Sequence, residues 1–161
     1  MLVTGLALIV LPILAVILKF FSFGWMMFFV IYGPIVLMVG GYILQVVIAA
    51  QGFLARRPLW TGGARTRAVI AAWSTSVAVV LVGIFMPDGG DTGYGSTFQV
   101  WLGAYSGGPH VEAMHDATDG LSAAISYAAG VVWVLAFFWL VIEWIIGLTV
   151  RSRRSRSDVL S

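Results

Sequence analysis

Four apolar runs, each long enough to cross a bilayer as a helix, constrain this chain more than any other feature. They read LVTGLALIVLPILAVIL (2–18), WMMFFVIYGPIVLMVGGYILQVVIAA (25–50), AVIAAWSTSVAVVLVGIFM (68–86) and SYAAGVVWVLAFFWLVIEWIIGLTV (126–150). A hydrocarbon layer takes about 20 helical residues. The only other spanning architecture, a closed barrel, needs alternating strands of about ten residues. These runs are continuous, so the expected fold is an all-α integral membrane protein of four transmembrane helices. Composition agrees: 60% of the 161 residues are hydrophobic and 10% are charged, against roughly 25% charged in soluble domains. So few charges cannot cover a soluble surface of this size. The first run lacks a basic leader and a small-x-small cleavage site, so it is expected to be retained. With no cysteine there is no disulfide and no thiol chemistry.

Charge placement predicts the topology. The loop 55–67 carries Arg56, Arg57, Arg65 and Arg67, and the tail 151–161 carries Arg151, Arg153, Arg154 and Arg156. Four spans put both segments on one side, which the positive-inside rule makes cytoplasmic. The extracytoplasmic loop between helices 3 and 4, residues 87–120, then holds Asp88, Asp91, Glu112, Asp116 and Asp119 with no Lys or Arg. The basic balance is thus a topology signal in a multi-pass cell-membrane protein with cytoplasmic termini, and nucleic acid is not an expected partner. The eight arginines suit anionic lipid headgroups or other subunits. Their commoner role is to set orientation only. A tail that is not free either docks or continues span four as a helix.

Helices associate in lipid where small residues allow close approach. The candidate packing positions are Gly33, Gly40 and Gly41 in span two, Ala68, Ala72 and Ser76 in span three, and Ser122, Ser126 and Gly130 at the start of span four, meeting within one chain or between chains. Pro12 and Pro34 are expected kinks. Phe20, Phe21, Phe23 and Trp25 read as interfacial anchors at one hairpin, and Trp60 as another in the loop 55–67. Trp133, Phe137, Phe138, Trp139 and Trp144 form a broad surface for lipid or a subunit.

Glu143 is the one carboxylate well inside a span. It lies eight residues before Arg151, roughly 12 Å along a helix. Such a group faces protein or water. Either it pairs with an arginine or it relays protons, and the spans hold no second titratable partner for a relay. The pair is the preferred reading.

PHVEAMHDATDG (109–120) holds both histidines. As a helix it places Glu112, His115, Asp116 and Asp119 on one face, while His110 points elsewhere. Glu112-x-x-His115 is half of a di-iron carboxylate pattern whose other half is missing here. His110, Glu112, His115 and Asp119 are therefore only weak metal candidates, for Zn²⁺ or Ca²⁺ completed by another subunit. The expectation is no cofactor, no metal and no catalytic residues, with an acidic, solvated face starting span four. TFQVWLGAY (97–105) is expected on the membrane surface or against a partner. The leading function is a non-catalytic accessory or assembly subunit of a larger membrane complex, with membrane lipids and other subunits as partners. The alternative is a small homo-oligomeric transporter or channel, resting on Gly33-Pro34, Glu143 and Ser74–Ser76. A metal-dependent membrane enzyme is third.

Overall fold

The computed structural model describes residues 1–22, 24–25, 35–55, 59–90, 93–103 and 110–160, with the side chains of all but 35–37, 90, 93–94 and 154–160. Gly33, Pro34, Arg56 and Arg57 lie outside these residues. The elements run α1 (Leu2–Lys19), a 3₁₀ turn (Phe20–Ser22), α2 (Ile35–Ile48) leading into a π-helical turn (Ala49–Leu54), α3 (Gly62–Phe85), β1 (Asp88–Gly90), β2 (Gly93–Gly95), α4 (Thr97–Trp101) and α5 (His110–Leu160). The two strands pair antiparallel with Gly89 opposite Tyr94. Three helices are long and apolar enough to cross a membrane, Leu2–Ser22, Gly62–Phe85 and His110–Arg153, and Met38–Leu54 is a shorter apolar helix. The chain is thus a helical protein built for embedding in a membrane. Pro12 is accommodated inside α1.

α3 is central, packed on α5 along one side and on α1 along the other. Periodicity explains the α5 seam. Its buried positions Ser122, Ser126, Ala129, Ala136, Leu140 and Glu143 are spaced by four and three, with half-buried Trp133 filling the gap. A 3.5-residue repeat keeps one stripe facing a neighbour only if the pair winds left-handedly. α3 meets this seam with small residues: Ala68, Ala72 and Ser76 are all fully buried. Where α3 meets α1, a methyl added to Gly83 would stand 2.7 Å from the Ala15 carbonyl oxygen. Ala15 and Gly83 thus set the closest approach of these two helices.

The seam corrects part of the packing expectation. Ser122 and Ser126 lie on it, but the repeat then steps by three to Ala129 and rotates Gly130 off the interface. Among the described residues, Gly130, Gly40 and Gly41 have nothing within 4 Å of where a Cβ would stand and pack against no other helix.

Helix boundaries also differ from the apolar runs. α3 begins at Gly62, so Arg65 and Arg67 lie in its first two turns. α5 covers 51 residues, from the histidine stretch to the arginine tail. Arginine, glutamate and alanine are good helix formers, so a helix need not stop where the apolar run does.

Trp60 is no surface anchor. It is 2% exposed, and its Nε1 donates to the Glu143 carbonyl oxygen at 2.9 Å. Its ring lies 4.9 Å from that of Phe53, over Gly52 on one side and Gly147 on the other. Leu8, Ile48 and Leu140 complete the apolar cluster around it. Phe20, Phe21 and Trp25 are exposed, as interfacial anchors are.

Candidate functional site

Polar chemistry concentrates at the two ends of the bundle. At the end where α3 begins, Arg67 Nε donates to Glu143 Oε1 at 2.6 Å and Nη2 donates to Oε2 at 3.3 Å. This is the bidentate geometry that a planar guanidinium offers a carboxylate. Trp139 Nε1, one turn back on α5, lies 3.4 Å from the same Oε1. The burial is unequal: the side chain of Arg67 is 53% exposed and that of Glu143 is 6% exposed. The two single substitutions should therefore differ. Arg67→Met strands a buried carboxylate, whereas Glu143→Gln frees a guanidinium that already reaches out of the protein. Thermal unfolding in detergent should drop further for Arg67→Met, and Arg67→Met/Glu143→Leu should recover most of the loss. A larger drop for Glu143→Gln would show that the arginine is not needed to hold the acid.

The other end is closed by the β1–β2 hairpin and α4, and its interior is a buried polar lattice. Lys19 Nζ donates to the Met86 carbonyl at 2.8 Å and to Ser22 Oγ at 3.0 Å. Asp88 Oδ2 stands 3.7 Å from the same ammonium. The Ser22 and Thr97 hydroxyls are 3.1 Å apart, and Thr97 Oγ1 donates to the Leu18 carbonyl at 2.9 Å. An ammonium only donates and each hydroxyl has a single proton. The direction of the string is therefore fixed: Lys19 to Ser22, Ser22 to Thr97, Thr97 to the end of α1.

A second string starts at the neighbouring residue. Ser96 caps α4: its Oγ accepts from Gln99 N at 3.3 Å, and its own N donates to Gln99 Oε1 at 2.7 Å. This reciprocal capping box leaves the Gln99 amide nitrogen free to reach α5, where it donates to Asp119 Oδ1 at 2.5 Å and Thr118 Oγ1 at 3.0 Å. Ser96 Oγ also lies 3.4 Å from Ser122 Oγ. Thr97, Ser96, Gln99 and Ser122 are fully buried. The segment expected to lie on the membrane surface is thus inserted on one side, while Trp101 and Leu102 on the other side remain exposed.

The histidine stretch divides the same way. His115 and Asp119 sit on the covered side of α5, with His115 Nδ1 3.5 Å from Asp119 Oδ1. Glu112, Asp116 and His110 are exposed. Among the described residues, no three of His, Asp and Glu come together as a metal cluster. Asp119 is occupied by Gln99 instead.

Other singled-out residues are less connected. Thr75 Oγ1 donates back to the Ala71 carbonyl at 2.8 Å. Ser76 Oγ is buried without a hydrogen-bond partner among the described residues. Arg65, Arg151 and Arg153 are exposed, and the side chains of Arg154 and Arg156 lie outside the described set. Sequence reasoning missed the Lys19–Asp88 pair and the role of α4. One signal was available: Ser96-x-x-Gln99 has the spacing of a capping box. No protein-family model, curated protein or solved structure matches this chain.

Proposed function

We propose that this chain is a non-catalytic accessory or assembly subunit of a larger complex in the cell membrane. The supporting observation is the set of helix glycines that no neighbour among the described residues covers, Gly40, Gly41 and Gly130. Against lipid alone a glycine has no advantage over alanine and weakens a helix by about 0.8–1 kcal/mol. Against another helix it permits close backbone approach. Val131, Leu135 and Phe138 on α5 are exposed apolar side chains near Gly130 in sequence. Mass spectrometry after gentle detergent extraction should find other membrane subunits with the chain. Gly41→Leu and Gly130→Leu should release them without lowering the melting temperature of the isolated chain. Recovery of homo-oligomers alone would favour a transporter or channel. A stoichiometric metal that vanishes in His110→Ala/His115→Ala would favour an enzyme.

In this reading four helices cross the membrane, the second of them including Ile35–Leu54, with both termini in the cytoplasm. The arginines of 55–67 and 151–156 then lie on the cytoplasmic side beside anionic headgroups. In intact cells an impermeant thiol reagent should label Gly93→Cys and spare Gly62→Cys. The reverse pattern would invert the topology.

A further inference from the structure

We propose that α4 is a hinged plug, which leaves its seat as a unit and admits water to the end of the bundle between α1, α3 and α5. This inference does not rest on the subunit reading. Three separate features carry it.

The first is the hinge. Residues 96–102 are bracketed by Gly95, with φ 155°, and Gly103, with φ 99°. Side-chain-bearing residues rarely adopt such values, and glycine turns through them freely. A rigid element between two such points is the usual construction of a moving segment.

The second is self-sufficiency. The capping box closes entirely within α4. Val100 N donates to the Ser96 carbonyl and Leu102 N to the Phe98 carbonyl. None of these bonds involves the bundle, so the unit keeps them when it moves.

The third is the seat. On one side lie the Leu18 carbonyl, the Ser22 hydroxyl and the Lys19 ammonium; on the other lie the Ser122 and Thr118 hydroxyls and the Asp119 carboxylate. Lipid tails satisfy none of these groups, and exposing them to hydrocarbon is prohibitive. Water satisfies all of them, and trading a protein hydrogen bond for water changes the free energy little. The vacated seat therefore fills with water. Trp101 and Leu102 face outward already and do not resist the movement. Two contacts oppose the movement: Gln99 Nε2 donates to Asp119 Oδ1 and Thr118 Oγ1 on α5, which water can replace, and the rings of Phe98 and Phe85 lie 5.1 Å apart, which water cannot. Phe98 is the latch.

The absence of native cysteine makes the test direct. In lipid nanodiscs, Ser122→Cys should react with a membrane-impermeant thiol reagent. Adding Phe98→Ala should speed the reaction by up to about tenfold, the value of one aromatic pair. Ala136→Cys, buried farther along the same seam, should stay unreactive in both backgrounds. Equal inertness of the two cysteines in both backgrounds would show that α4 is fixed. Equal reactivity would show general loosening and would equally overturn the plug. Hydrogen exchange on the unsubstituted chain is a second reading. The amides of 98–103 should exchange well ahead of those of 71–82, and matched protection would refute the proposal.

Discussion

Lys19→Met should destabilise the protein by about 3–5 kcal/mol, the range for removing one member of a buried ion pair. Lys19 is 7% exposed and Asp88 2% exposed, so little water screens the ammonium from the carboxylate. The loss is threefold. Asp88 loses its ammonium neighbour, the Met86 carbonyl loses a donor, and Ser22 loses the donor that orients its hydroxyl toward Thr97. Lys19→Met/Asp88→Asn should recover part of the loss, because it removes the carboxylate that faced the ammonium. Reversible unfolding in detergent, run as a double-mutant cycle, measures both. A silent Lys19→Met, or losses that simply add, would show that the two residues do not act as a pair.

Trp60→Ala should cost a similar about 3–5 kcal/mol, the range for truncating a buried tryptophan. The indole fills the space between Gly52 and Gly147 and touches helices from both halves of the chain. Trp60→Phe separates packing from hydrogen bonding. It keeps an aromatic ring but leaves the Glu143 carbonyl without its Nε1 donor, a loss of about 1 kcal/mol. Thermal unfolding of both variants in detergent is the check. If Trp60→Ala were as mild as Trp60→Phe, the ring would not be holding the helices together.

Long apolar runs made the helical, membrane-embedded character of the chain legible in the sequence. What they left obscure has physical causes. Counting by fours puts Gly130 on one face with Ser122 and Ser126, but a left-handed pair counts by fours and threes, so within the described chain Ala129 takes the seam position. Trp60 looks like an interfacial ring because it lies among arginines, and its neighbour Gly147 is remote in sequence. Glu143 was recognisable as a residue in need of a partner. Its choice of Arg67 depends on α3 starting at Gly62, within a segment that apolar counting assigns to a loop. Lys19 and Asp88 are 69 positions apart and carry no shared pattern. Gln99 is a single polar residue among aromatics, and only the Ser96 spacing marks it as part of a cap.

The length of α5 has a mechanical consequence. Fifty-one residues at 1.5 Å each make a rod of about 76 Å, more than twice the hydrocarbon thickness of about 30 Å. No proline falls between His110 and Leu160 to interrupt it. One such shaft carries Asp119, gripped by Gln99, near one end and the arginine-rich segment at the other. Turning one end about its axis would turn the other, because a continuous hydrogen-bonded helix has no joint at which to absorb the twist. Were this helix to span the bilayer, a torque applied at one face would reach the other without any molecule crossing.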